Sequence, residues 1–270
     1  MPTLHVNDIE LYYETVGEGT PLLLLHGLGS SLLDWENQTL EFSRSYRVIA
    51  CDVRGHGRSS KPPGPYSVAQ FARDVAELLR TLDAVPAHIV GLSMGGMIAF
   101  QLAVDFPDLV RSLVIINSGP AMVLKGFRRR LTIQMRFLIV GLFGMRAMAK
   151  VIGKRLFPDP GQEGLRDTFI ERASKNDPRA YLDSVRALDG WSVADRISSI
   201  RCPVLVISSD QDYTPVDLKR AYAAKIPGAT VAVIENSRHA APVDQPEQLN
   251  RMILDFLQQV TASPPQKAAS

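Results

Sequence analysis

Three side chains in this sequence have the types and the order that acyl chemistry requires. Ser93 stands in Gly91-Leu92-Ser93-Met94-Gly95-Gly96, a G-x-S-x-G pattern that follows an apolar run and precedes a helical one. A serine on a sharp strand-to-helix turn projects clear of the backbone, and such a turn leaves no room for side chains two residues before and two after it. The same pentapeptide also suits an ordinary glycine-rich turn with a capping serine, so it has to be read with its partners. A serine hydroxyl is a weak nucleophile at neutral pH and needs a base; histidine serves best. The candidates are His5, His26, His56, His88 and His239. His5 falls in an edge hairpin, and His88 opens the strand that ends at Ser93, which puts it at the wrong end of the sheet. His26 and His56 lie in glycine-bearing turns with a simpler structural use. His239, in Glu235-Asn236-Ser237-Arg238-His239-Ala240-Ala241-Pro242, follows the last apolar run and precedes a helix. Loops at that end of a parallel sheet converge on a catalytic crevice, so His239 is the expected base. The acid that orients it belongs between the two, after a late strand. Asp210 and Asp212, after Val204-Leu205-Val206-Ile207-Ser208-Ser209, both qualify.

The elements that must position these residues are legible as apolar runs. Leu22–Leu25, Val48–Ala50, His88–Val90, Leu113–Ile116, Val204–Ile207 and Val231–Ile234 read as buried parallel strands. Helical patterns over Ser67–Leu82, Met94–Phe106, Val216–Lys225 and Gln245–Val260 alternate with them, the signature of an α/β sheet covered on both faces. Leu4–Tyr13 adds an antiparallel edge hairpin, expected to close near Gly17–Gly19. Between about Pro120 and Trp191 the rhythm changes to helices without strands, which reads as an inserted cap. The expected organisation is a core domain of residues 1–119 and 192–260, a helical cap of 120–191 and a disordered tail of 261–270, rich in Pro, Ala and Ser. Within the cap, residues 125–155 hold nine Lys or Arg and no Asp or Glu. That run suits a solvated face, or a surface drawn to anionic substrates, an acidic protein or lipid headgroups.

With 270 residues, 46% hydrophobic content and a net charge of +2, the chain builds one large core and lacks the cationic density of a nucleic-acid binder. Cys51 and Cys202 have no metal-ligand or disulfide spacing and read as free thiols. Residues Met1–Asn7 carry no secretory pattern and the longest apolar run, Phe137–Met145, is far shorter than the roughly 20 residues that span a bilayer. The expectation is a cytoplasmic protein without a transmembrane segment; a homodimer is compatible with it.

Together these residues resemble the α/β-hydrolase superfamily, particularly small capped members such as enol-lactonases, carboxylesterases, carbon-carbon bond hydrolases and cofactor-free perhydrolases. The resemblance runs from Leu11 to Leu257 and implies an α/β-hydrolase fold: a mostly parallel eight-stranded sheet flanked by helices. It implies that His26-Gly27-Leu28-Gly29 is the loop that completes an oxyanion hole, with backbone N–H donors from Leu28 and Met94. Asp52-Val53-Arg54-Gly55-His56-Gly57-Arg58-Ser59 is similar to the family's turn after the fourth strand, a scaffold that keeps Asp52 and His56 out of the catalytic set. Asp212 is the implied acid, with Asp210 in reserve, because the family's usual glycine three residues before the acid is here Ser209, and Pro215 comes one residue early. Arg238 stands where glycine often precedes the histidine. The implied activity is cleavage of a small-molecule carboxylic ester or lactone through an acyl-enzyme, without metal or organic cofactor. A serine at the elbow, where haloalkane dehalogenases and epoxide hydrolases carry a carboxylate, sets those chemistries aside. A carbon-carbon bond hydrolase of vinylogous diketones uses the same triad, and a ligand-binding receptor with a slow triad is the reading from another class. Trp35, Phe137 and Met145 are the expected pocket residues.

Overall fold

The computed structural model describes residues 2–122 and 126–262. Eight strands, β1 (Thr3–Val6), β2 (Ile9–Val16), β3 (Pro21–Leu25), β4 (Arg47–Cys51), β5 (Ala87–Leu92), β6 (Val110–Ile116), β7 (Val204–Ser209) and β8 (Thr230–Ile234), form one sheet in the order β1-β2-β4-β3-β5-β6-β7-β8. β1 and β2 are antiparallel to their neighbours and the rest run parallel. This is the mostly parallel eight-stranded sheet expected from the sequence, with β5, which leads to Ser93, in the middle of the parallel array.

The leucine run of β3 shows why such strands lack polar alternation. Leu23 and Leu25 enter one core layer with α2 (Val68–Thr81) and α3 (Met94–Asp105), while Leu22 and Leu24 enter the other with α1 (Glu36–Phe42) and α9 (Pro246–Ala262). Both faces are covered, so every position gains from being apolar. α2 begins at Ser67, whose hydroxyl accepts from the Gln70 amide, and buries Phe71, Val75, Leu78 and Leu79. The remaining helices are α4 (Gly126–Leu156), α5 (Glu163–Ser174) and α6 (Pro178–Leu188) between β6 and β7, α7 (Val216–Ala223) after β7, and α8 (Ala241–Asp244) after β8. α4 is kinked at Gly144, where φ of +72° leaves the helical region. An Ala121–Ser192 bridge, with Met122 N–H on Trp191 O and Val193 N–H on Pro120 O, pinches the two ends of this helical insertion together.

Two expectations are corrected. The edge hairpin closes at Asn7-Asp8, with Val6 opposite Ile9 and Asn7 at φ +52°, while Gly17–Gly19 joins β2 to β3. Asn7 serves this turn as glycine would because asparagine tolerates the left-handed region. The last helix runs on through Ala262, so residues 261 and 262 are ordered; 263–270 lie outside the described residues. Among the described residues no helix is long and apolar enough to cross a membrane.

The turn after β4 earns its place as scaffold through buried charge. Asp52 accepts from the Leu32 and Arg58 amides, and Arg54, with a 1% exposed side chain, grips Asp74 through two nitrogens and reaches Asp8. Removing one partner of a buried pair leaves the other desolvated and unmatched. Arg54→Met is expected to lower the unfolding free energy by about 3–5 kcal/mol in urea melts.

Candidate active site

Ser93 sits at φ +53°, ψ −113°, a strained conformation for a residue with a side chain. Close packing around the turn holds it there. A Cβ on Gly91 would lie 2.4 Å from the Gly95 carbonyl oxygen, and one on Gly95 would lie 2.1 Å from the Leu25 carbonyl oxygen. The first turn of α3 therefore presses directly on the end of β3. The Ser93 amide donates to Ile116 O at 3.0 Å, and the Ser118 hydroxyl donates to Ser93 O at 2.6 Å.

His239 reaches Ser93 from the loop after β8, with Nε2 2.9 Å from Oγ. Asp212, at the end of β7, places Oδ1 2.6 Å from His239 Nδ1. With Nδ1–H donated to the carboxylate, Nε2 is left with its lone pair toward the serine hydroxyl. Asp210 does something different: its carboxylate accepts the amides of Asn236 and Ser237, both at 3.0 Å, folding the loop that carries His239. Asp244 continues that work on Ser237 Oγ and the Arg238 amide. Asn117, at φ +47°, donates from Nδ2 to Ser209 Oγ, Arg238 O and His239 O, and accepts the Ser209 amide. The serine that replaces the family's glycine at 209 is thus a hydrogen-bonding partner in a knot joining three loops.

The other histidines cannot compete for the base role. Burial pushes His26 down to about 4 and His88 to about 4, and burial with the neighbouring His26 pushes His56 to about 3. His26 donates from Nδ1 to Gly27 O and accepts the Val53 amide at Nε2, locking the loop before Leu28. Gly27 faces the nucleophile, an added Cβ lying 3.7 Å from Ser93 Cβ. Among the described residues neither the Leu28 nor the Met94 amide donates to a protein acceptor.

The carboxylate of Asp212 is buried, which by itself raises its pKa, but the hydrogen bond and charge of His239 and the charge of Lys219 hold it well below the usual carboxylate range. Lys219 Nζ lies 2.5 Å from Asp212 Oδ2, and both side chains are 1% exposed. Thr214 supplies further bonds to both, through its hydroxyl and carbonyl. Sequence reasoning missed Lys219, although a signal existed: with Tyr222 and Ala223 it forms the i, i+3, i+4 buried stripe of α7. A lysine in such a stripe requires a buried anion. Tyr213 was missed as well. Its ring stacks on His239 at 4.4 Å and 21°, and Arg155 at the end of α4 lies 4.1 Å over the same ring.

The helical insertion touches the His26–Gly29 loop too. Tyr181 packs against Gly29, and Asn176 Nδ2 donates to Gly29 O at 2.6 Å. Arg136 donates to the Tyr181 hydroxyl. Phe137 and Met145, expected at the pocket, join a cluster with Tyr181, Val185 and Leu28, next to the proposed oxyanion donor. Trp35 is not brought to the site: it is fully buried with Phe42, Leu22 and Leu249 in the layer under α1 and α9. Packing wins there because the following helix turns its ring inward. Arg238 pairs with Asp159 at 3.4 Å. Among the described residues no cluster of His, Cys, Asp and Glu is arranged to hold a metal ion.

A family model described as alpha/beta hydrolase fold matches residues 20–137. An Azorhizobium caulinodans protein provisionally named carbamate hydrolase RutD is 31% identical over 263 residues, covering 95% of this chain and 98% of the relative. The 3-oxoadipate enol-lactonase 2 of Acinetobacter baylyi is 31% identical over 258 residues, covering 93% and 94%. Among solved structures, an enol-lactonase from Burkholderia xenovorans LB400 has a TM-score of 0.89 at 27% identity, over 95% of this chain and 100% of that one. The chain belongs to the α/β hydrolase family, and it is a hydrolase.

The Asp212–Lys219 pair carries a pH signature. Because the folded-state pKa of Asp212 is depressed, its ionised form stabilises the fold above the unfolded value of about 4, and that contribution is lost as pH falls through the folded pKa. Lys219→Met is expected to cost about 3–5 kcal/mol at pH 7. Urea melts at descending pH are expected to show this deficit narrowing below about pH 4.

Proposed function

We propose that the protein is a serine hydrolase that cleaves carboxylic esters or lactones of small molecules through an acyl-enzyme. The observation that carries this reading is the unbroken chain from Ser93 Oγ to His239 Nε2, 2.9 Å, and from His239 Nδ1 to Asp212 Oδ1, 2.6 Å. Ser93 Oγ attacks the carbonyl carbon as His239 takes the hydroxyl proton. The imidazolium formed is stabilised by Asp212, and negative charge on the carbonyl oxygen is met by the Leu28 and Met94 amides. Collapse expels the alkoxide, which takes the proton from His239. Water then attacks the acyl-enzyme, giving its proton to the same imidazole, and Ser93 leaves with that proton. In a lactone the leaving alkoxide stays tethered to the acyl group, and the product is a hydroxy acid, or its keto form from an enol-lactone. No step calls for a metal or an organic cofactor.

Support comes from the named activities of relatives, an enol-lactonase and a provisional carbamate hydrolase, both of which act at an acyl carbon. Leu28, Phe137 and Met145 make the apolar wall nearest the oxyanion loop the natural seat for the acyl group.

A fluorophosphonate probe followed by peptide mass analysis is expected to label Ser93 alone. Ser93→Ala is expected to lower kcat on a nitrophenyl ester by about 10⁶-fold and Asp212→Asn by about 10⁴-fold. Asp210→Asn keeps one of the two oxygens that accept backbone amides, and is expected to cost about 1 kcal/mol of stability with kcat nearly unchanged. Labelling elsewhere, or full turnover in Ser93→Ala, refutes the assignment.

A further inference from the structure

The first helix of the cap has a face that the fold leaves open. Leu131, Met135, Leu138 and Leu142 are 46%, 45%, 50% and 68% exposed, and Phe143 beside them is 68% exposed. At about 100° per residue the first four lie within about 60° of one another and extend along about 16 Å of α4. The opposite side of the helix is already occupied. Val140 is buried in the cap cluster, with Ile133 and Phe137 packed against it. α4 is therefore apolar on two faces, and among the described residues only one of them is covered. Its charge is equally one-sided. Residues 125–155 contain nine Lys or Arg and no acid, and Arg130, Arg146, Lys150 and Lys154 are exposed.

We propose that this face docks on an anionic lipid surface, with the Leu and Met row entering the headgroup boundary and the flanking cations meeting lipid phosphates. A helix that lies in the interface plane combines buried apolar area with attraction to anionic lipid, and α4 offers an exposed apolar row with exposed cations at Arg130 before most of it and at Arg146, Lys150 and Lys154 beyond the Gly144 kink. A second copy of the chain fits the face poorly: two such helices in contact would set Arg130, Arg146, Lys150 and Lys154 of each against the same cations of the other, with no acid in residues 126–156 to offset them. Nucleic acid would satisfy the cations and leave the leucines in water. Insertion across a bilayer is a different matter, since no described helix is long and apolar enough for it. The docking does not depend on the reading of the triad.

The test is co-sedimentation of the full chain with vesicles of phosphatidylcholine alone or mixed with phosphatidylglycerol, with folding checked by circular dichroism melts. Binding to the mixture is expected to fall at least about 10-fold on phosphatidylcholine alone and to weaken with salt. Leu138→Glu/Leu142→Glu is expected to abolish it. Lys150→Gln/Lys154→Gln, which leaves the apolar row intact, is expected to weaken it about 10-fold or more, at about five-fold per cation. No binding to the mixture, equal binding to both vesicles, or binding unaffected by either variant overturns the proposal. So does a dimer in sedimentation equilibrium that Leu138→Glu/Leu142→Glu dissolves, which assigns the face to a second copy.

Discussion

The first turn of α3 pressed against the end of β3 is the contact on which the site is built. With the Leu25 carbonyl oxygen only 2.1 Å from where a Cβ on Gly95 would stand, the two segments touch through bare backbone. That closeness sets Ser93 beside Gly27, where an added Cβ would lie 3.7 Å from Ser93 Cβ. Strain at φ +53° is tolerable because both neighbours are fixed: the sheet bonds the Ser93 amide to Ile116, and Ser118 holds the Ser93 carbonyl. A looser turn would relieve the serine and lose its fixed place beside Gly27 and His239.

A second constraint is electrostatic. Asp212 is a carboxylate taken out of water, which is costly unless its lone pairs are matched. One oxygen faces the imidazole and the other faces Lys219 and Thr214. The carboxylate thus has the Lys219 ammonium on one side and the His239 ring on the other. The arrangement keeps the acid ionised through the neutral range and fixes the tautomer of His239 before substrate arrives.

Much of this was readable in the residues, for reasons that differ from element to element. The parallel strands announced themselves because burial on both faces demands unbroken apolar runs, as in β3 and β7. Ser93 and His239 were readable because glycine spacing and chain order are local. The acid was harder, since Ser209 and Pro215 depart from the family's spacing; the choice of Asp212 over Asp210 becomes concrete only when Asp210 is found binding the Asn236 and Ser237 amides. Trp35 was misplaced because a large aromatic near the oxyanion loop serves core and pocket equally well in sequence. The short Leu32–Trp35 turn and α1, which bury it, have no strong periodicity. Lys219, Tyr213 and Asn117 act across distances of chain that no local pattern reports. Of these only Lys219 left a trace, as a charge in an otherwise apolar helical stripe.

The helical insertion meets the core at two loops, the one that carries Gly29 and the one that carries His239, the second also through Tyr213. Tyr181 and Asn176 bear on Gly29, while Arg155 bears on Tyr213 and through it on the imidazole, and Asp159 holds Arg238 one residue away. Roof and engine are consequently not modular here. A chimaera that borrowed another relative's helices to change substrate preference would also remove the braces under the oxyanion loop and the histidine. Divergence in this lineage would then proceed by small, coordinated replacements in cap and loops, not by wholesale exchange of the insertion.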